Sequence, residues 1–205
     1  MRSLSERLRK YLIMGSQDGE RDPEMILCEA IDAGVTAFQF REKGPDALTG
    51  AERLKLGIRL REVCKERGVL FIVNDDVELA ADLEADGIHV GQEDLPVNVV
   101  RERLPDKIIG LSVSNMAEVR RSQLDLVDYV GAGPIFPTRT KPNDEPSGFH
   151  WLEDIRALHP QIPIVAIGGI TPQNAEVLLD AGADGLAVVT AVTQAKNIEE
   201  VVTRL

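Results

Sequence analysis

Val35-Thr36-Ala37-Phe38-Gln39-Phe40-Arg41-Glu42-Lys43-Gly44-Pro45-Asp46 contains the punctuation from which the fold can be read. Val35 to Phe38 is β-prone and Gly44-Pro45-Asp46 is a breaker, so a strand ends within the stretch. A two-residue period puts Gln39, Arg41 and Lys43 on one face and Phe40 and Glu42 on the other. One face therefore carries three hydrogen-bond donors, two of them cationic, at the point where strand becomes loop, a suitable place to hold a phosphate. Taken alone, the five residues Gln39 to Lys43 fit an exposed edge strand with solvated charges slightly better.

The same grammar of strand, helix, glycine and strand extends in both directions. Before the stretch, Tyr11 to Met14 forms a short apolar run, and Asp22-Pro23 opens a helix that closes at Ala33-Gly34. After it come a helix over Thr49 to Arg67, a third strand Val69 to Val73, a short helix Val77 to Leu83 and a fourth strand Gly87 to Val90. Pro96 to Leu104 is helical, Ile108 to Leu111 is the fifth strand, Met116 to Leu126 is helical and Tyr129 to Gly133 is the sixth strand. The long loop Pro134 to Gly148 leads to a helix over Trp151 to Leu158 and a seventh strand, Ile162 to Ile167. A helix over Thr171 to Ala181, capped by Thr171-Pro172, an eighth strand Gly185 to Thr190 and a helix Asn197 to Leu205 complete the series. Eight strand–helix units in 205 residues are the arithmetic of a small (β/α)₈ TIM barrel. An open doubly wound sheet uses the same alternation but seldom needs so many units. The expected organisation is a single domain over 1–205, with 1–10 as a short amphipathic helical extension.

Composition limits the partners. Charged residues make up 28% and hydrophobic residues 43%, and the formal charge of -11 argues against nucleic acid or an anionic membrane as the main partner. A cationic cluster inside so acidic a chain needs its own explanation. Cys28 and Cys64 lack metal-ligand spacing and read as buried reduced thiols, and no apolar run approaches membrane-spanning length, so a cytoplasmic protein is expected. A homo-oligomer is left open.

In a barrel the working groups sit at the carboxyl ends of the strands. That rim collects Gln39, Arg41 and Lys43; Asn74, Asp75 and Asp76; Gln92, Glu93 and Asp94; Ser112; Thr138, Arg139, Thr140 and Lys141; Gly168 and Gly169; and Thr190. Arg41, Lys43 and Lys141 converge as a pyrophosphate would require. Asp75 and Asp94 end neighbouring strands and suit Mg²⁺ beside a phosphate, although Asp76 could instead cap a helix and Glu93 could be solvated. Gly168-Gly169 lets backbone N–H groups approach a second phosphate. Two anion sites suggest two phosphorylated substrates. His89 reads as a hydrogen-bonded barrel histidine, and His150 and His159 as surface residues. No Ser-His-Asp or Cys-His pairing supports nucleophilic catalysis.

Gln39 to Lys43, Asn74-Asp75-Asp76, Gly87 to Asp94, Tyr129 to Lys141 and Pro163 to Ile170 together resemble the thiamine phosphate synthase family, in order and spacing, from about Tyr11 onward. The resemblance implies a transferase that joins hydroxymethylpyrimidine diphosphate to a thiazole phosphate, with or without a carboxylate, releasing pyrophosphate. It places Gln39 against the pyrimidine and counts the run Gln39, Phe40, Arg41, Glu42 and Lys43 in the substrate-binding segment, with Phe40 and Glu42, pointing the other way, as packing and helix-side contacts. It assigns Arg41, Lys43, Asn74, Ser112 and Lys141 to the diphosphate, with Arg41, Lys43, Ser112 and Lys141 as the catalytic set. Asp75 and Asp94 would bind Mg²⁺, Thr138, Arg139 and Thr140 would line the thiazole side, and Gly169, Val189 and Thr190 would take its phosphate. Thr190 stands where many members have Ser, and the segment after Ser112 lacks a histidine that relatives often carry. The rivals are a thiazole tautomerase on the same fold, which would want a proton shuttle near the fifth strand, and a phosphate-binding regulator.

Overall fold

Tyr11-Leu12-Ile13-Met14 alternates two kinds of burial, and the same alternation runs around the whole protein. In the computed structural model, which describes residues 2–138 and 146–205, eight parallel strands close a barrel in sequence order. They are β1 Lys10–Met14, β2 Ala37–Phe40, β3 Leu70–Asn74, β4 Gly87–Val90, β5 Ile108–Val113, β6 Tyr129–Ala132, β7 Ile164–Ile167 and β8 Gly185–Val188. The (β/α)₈ expectation is met. Tyr11, Ile13, Ala37, Leu70, Ile72, Tyr129, Val165 and Ala187 fill the barrel interior. Leu12, Met14, Phe38, Phe40, Phe71, Val73, Ile88 and Val130 face outward into a second apolar layer under the helices.

The helices are α1 Leu4–Arg7, α2 Pro23–Asp32, α3 Gly50–Arg67, α4 Val77–Asp82, α5 Val97–Arg103, α6 Met116–Arg121, α7 Trp151–Leu158, α8 Ala175–Asp180, α9 Thr190–Thr193 and α10 Ile198–Thr203. Asp22, Asp76, Asn115 and Asn197 cap α2, α4, α6 and α10 through their side chains. Gly68, with φ of 68°, ends α3 in the left-handed conformation that disfavours a side chain. The extension before β1 holds only the single turn α1, after which Leu8 inserts into the barrel interior and closes the bottom.

Several boundaries differ from the sequence reading for local reasons. β2 starts only at Ala37, because the Val35 amide is spent on the carbonyl of Ala30. β7 starts only at Ile164, since Pro163 has no amide to donate. β8 stops at Val188, and Thr190 opens α9 instead. Thr171-Pro172 does not cap a helix. The Thr171 amide donates to Asn174 Oδ1 at 2.8 Å, and α8 begins after Asn174.

At the amino-terminal face one device recurs. The residue before each even strand exchanges two hydrogen bonds with the preceding odd strand. Asp86 takes the Phe71 amide, Asp128 the Ile109 amide and Asp184 the Ile164 amide, each at 2.8 Å, while their own amides return to the same residues' carbonyls. Thr36 does the same with Lys10 through its hydroxyl. Arg61, Arg101 and Arg156 hold the three aspartates from α3, α5 and α7.

Candidate active site

The opposite face opens into a cavity lined by the carboxyl ends of the strands. Of the residues expected at the site, Gln39, Arg41, Lys43, Asn74, Asp75, Asp94, Ser112, Thr138, Gly169, Val189 and Thr190 line it. Arg139, Thr140 and Lys141 lie outside the described residues. Phe40 and Glu42 do not line it. Phe40 is buried in the outer layer against Phe71, and Glu42 accepts hydrogen bonds from the amide and hydroxyl of Ser16 and from the Leu48 amide. Glu42 thus ties the loop after β1 to the loop after β2, bracing the base of Arg41 and Lys43.

Lys43 donates from Nζ to Asp75 Oδ2 at 2.7 Å. Asp75 adopts φ of 62°, a strained value for a residue with a side chain, and its amide is held by the His89 carbonyl at 2.8 Å. That turn separates two adjacent acids. Asp75 is sent into the cavity, while Asp76 caps α4, accepting from the Leu79 amide and from Arg53. Burial pushes the Asp75 carboxyl upward, and the neighbouring Asp94 adds to the rise while Lys43 opposes it. Burial also presses on Asp76, but the Leu79 amide and Arg53 outweigh it and hold its carboxyl low. Asp94 Oδ2 accepts the Gly91 amide at 2.7 Å, and Glu93 is exposed.

Two neighbouring carboxylates in a half-buried site repel each other; Lys43 offsets part of that charge, and a divalent cation would offset more. Their all-oxygen donor set fits Mg²⁺, which takes one or two carboxylates and completes its shell with water and phosphate oxygens. Among the described residues no group of three His, Cys, Asp or Glu side chains could hold a metal unaided, so phosphate oxygens would have to contribute.

The opposite wall is backbone. Gly168 and Gly169 both have positive φ, and a Cβ on them would meet Pro134 Cα and the Pro137 carbonyl at 2.6 Å each. Ile135 and Phe136 donate their amides to the carbonyls of Ile167 and Gly168, locking the loop after β6 onto the loop after β7. Asn174, which the sequence reading passed over, fastens this loop through the Gly169 carbonyl at 3.0 Å. Val189 and Thr190, at the start of α9, stand beside it.

The floor holds residues that strand counting registered only as apolar. Gln39 Nε2 donates to the Tyr11 hydroxyl at 3.0 Å, which lies 2.9 Å from the Tyr129 hydroxyl. Tyr129 reaches His89 Nδ1, and His89 Nε2 reaches Ser112 Oγ, both at 2.9 Å. His89 is therefore the hydrogen-bonded barrel histidine expected. It also brings an imidazole to the fifth strand, so the missing histidine after Ser112 does not by itself separate a synthase from a tautomerase.

Fold and rim together define a (β/α)₈ barrel of the kind that handles small phosphorylated molecules. The profile of the thiamine monophosphate synthase family matches residues 10–192. The thiamine-phosphate synthase of Oceanobacillus iheyensis is 51% identical over 199 residues, covering 97% of each chain. That of Anoxybacillus flavithermus is 49% identical over 203 residues, covering 98% of this chain and 94% of its own. The solved thiamine phosphate pyrophosphorylase from Pyrococcus furiosus superposes with a TM-score of 0.88 at 34% identity, over 99% of this chain and 96% of its own. The chain belongs to the thiamine monophosphate synthase family, whose members are transferases of thiamine biosynthesis.

Proposed function

We propose that this protein joins 4-amino-5-hydroxymethyl-2-methylpyrimidine diphosphate to a hydroxyethylthiazole phosphate, forming thiamine monophosphate and pyrophosphate. The observation that carries this reading is the opposition of two anion-binding walls across one cavity: Arg41, Lys43 and the Asp75–Asp94 pair on one side, and the Gly168-Gly169 loop with Thr190 on the other. A single phosphorylated substrate would need only one of them.

The residues divide the work. Gln39, held from below by Tyr11, presents an amide to the pyrimidine edge. Arg41, Lys43, Asn74 and Ser112 donate to the diphosphate and Thr138 faces the thiazole; Lys141, assigned to the diphosphate, and Arg139 and Thr140, assigned to the thiazole side, lie outside the described residues. Mg²⁺ bound by Asp75 and Asp94 would neutralise part of the diphosphate charge. The C–O bond to the leaving diphosphate breaks with its electron pair, and the pyrimidine's amino group stabilises the methylene cation. The thiazole nitrogen lone pair then forms the C–N bond. The protein's contribution is charge stabilisation and alignment, which requires no side-chain nucleophile. Among the described residues no helix is long and apolar enough to cross a membrane, and both cysteines are free, which supports a cytoplasmic setting.

The test is pyrophosphate release from the two substrates with and without Mg²⁺. The expected result is release that requires both substrates and the metal. Isomerisation of a thiazole carboxylate phosphate without pyrophosphate release would establish the tautomerase instead. Binding of phosphates without turnover would establish the regulator.

A further inference from the structure

Across the barrel floor, hydrogen bonds run without a break from Gln39 through Tyr11, Tyr129 and His89 to Ser112, each between 2.9 and 3.0 Å. They link the residue read as the ring contact to a residue read as a diphosphate contact. The chain has a direction. An amide nitrogen only donates, so the Tyr11 oxygen accepts from Gln39, and of the two directions open between the phenols the one that gives the buried Tyr11 hydrogen a partner turns it to Tyr129. With that choice Tyr129 donates to His89 Nδ1, which would place the imidazole proton on Nε2 and direct it to Ser112 Oγ. Ser112 is left with its hydroxyl hydrogen free for the cavity.

The surrounding sequence reserves space for this arrangement. A Cβ on Gly110 would meet Tyr129 Cζ at 2.2 Å and His89 Nδ1 at 2.4 Å, and one on Gly131 would meet His89 Cε1 at 2.9 Å. Both glycines lie inside strands, where the residue is unfavourable unless something must approach closely. Burial holds both tyrosine hydroxyls above their usual range, so each keeps the hydrogen the chain requires.

We propose that Tyr11, Tyr129 and His89 are positioning residues that fix the orientation of the Gln39 amide and of the Ser112 hydroxyl as one unit, coupling recognition of the pyrimidine ring to the grip on its leaving group. The proposal rests on the function assigned above. Reversing one link would require flipping the amide and withdrawing the serine hydrogen together, so a substrate that satisfies both ends selects one direction. Tyr129 is the hub, because its oxygen is shared by the two halves.

Tyr129→Phe removes that oxygen and keeps the ring. It is expected to lower kcat/KM for the pyrimidine diphosphate about tenfold while KM for the thiazole phosphate stays within about twofold. In a Gln39→Ala/Ser112→Ala background, where both ends are gone, the same substitution is expected to cost less than threefold, since coupled residues are non-additive. Unaltered kinetics in Tyr129→Phe, or an equal loss in both backgrounds, overturns the proposal. If Tyr129→Phe fails to fold, Tyr11→Phe breaks the adjacent link and is read the same way. A second readout does not depend on turnover: ¹⁵N NMR of labelled histidine is expected to find His89 protonated on Nε2, with the preference lost in Tyr129→Phe. A proton on Nδ1 in the unsubstituted protein refutes the chain's direction. Failure of the unsubstituted protein to form product would refute the assigned function while leaving this spectroscopic result to decide the relay.

Discussion

Replacing Lys43 by Ala separates catalysis from stability with one change. Lys43 Nζ lies 2.7 Å from Asp75 Oδ2, but its side chain is 55% exposed and that of Asp75 25%, so the pair is largely screened by solvent. Exposed pairs of this kind contribute about 0–1 kcal/mol. For a chain of this size that corresponds to a fall in Tm of no more than about 4 °C. Turnover should respond on another scale, because a cation aimed at a departing diphosphate acts where charge develops. Loss of one such donor is worth roughly 10²-fold or more in kcat, about 2.7 kcal/mol. Removing Lys43 also removes the hydrogen bond that opposes the upward displacement of Asp75, so the variant's Asp75 should be easier to protonate. The assay pairs steady-state pyrophosphate release at saturating Mg²⁺ with scanning calorimetry on the same preparation. Activity within about threefold of the unsubstituted protein would refute the role given to Lys43. A fall in Tm above about 8 °C would show that its work is structural.

Three further outcomes follow from the packing. Asp184→Ala strips the Ile164 amide and Arg156 of their shared partner under the barrel, and is expected to lower stability by about 2–4 kcal/mol in urea melts while kcat at 25 °C is nearly unchanged. Glu42→Ala leaves the Ser16 and Leu48 amides without an acceptor, so KM for the pyrimidine diphosphate should rise several-fold, with about 2 kcal/mol lost in the same melts. Alkali should destabilise the protein. Tyr11, Tyr129 and Cys64 are all held protonated by burial, so their contribution is intact below the ordinary values of 10.0 for the phenols and 9.0 for the thiol, and is lost as pH rises above them. The loss should deepen steadily as pH rises from 9 to 11, and is read as a falling Tm between pH 8 and 11.

The barrel was legible because its signals are local: apolar runs of strand length, helical periodicity and glycine stops, repeated in order. The rim followed from it, since groups at strand ends must share one face of a closed barrel. What stayed hidden depends on single torsions or on distant partners. Asp75 and Asp76 are adjacent acids, and only the φ of 62° at Asp75 sends one to the cavity and the other to a helix cap. Alternation placed Glu42 on the face opposite Arg41 and Lys43, but its partner Ser16 lies 26 residues away. Tyr11 and Tyr129 are 118 residues apart, and nothing local to either tells that their hydroxyls meet. Thr171-Pro172 had the form of a helix start, yet the Thr171 amide turns to Asn174 Oδ1 and α8 begins only after Asn174.

The repeated pairing of Thr36, Asp86, Asp128 and Asp184 with the strand before each gives the barrel a modular lower face. These links join residues 26, 15, 19 and 20 positions apart, so each is closed within one strand–helix–strand unit. Alignment of β1 with β2, β3 with β4, β5 with β6 and β7 with β8 can be set unit by unit, before the ring is complete, as short sequence separations favour early contact. Assembly then joins four pre-registered pairs. Because none of these links involves the rim, the catalytic loops can be lengthened, exchanged or cut and rejoined by circular permutation while the strands keep their alignment.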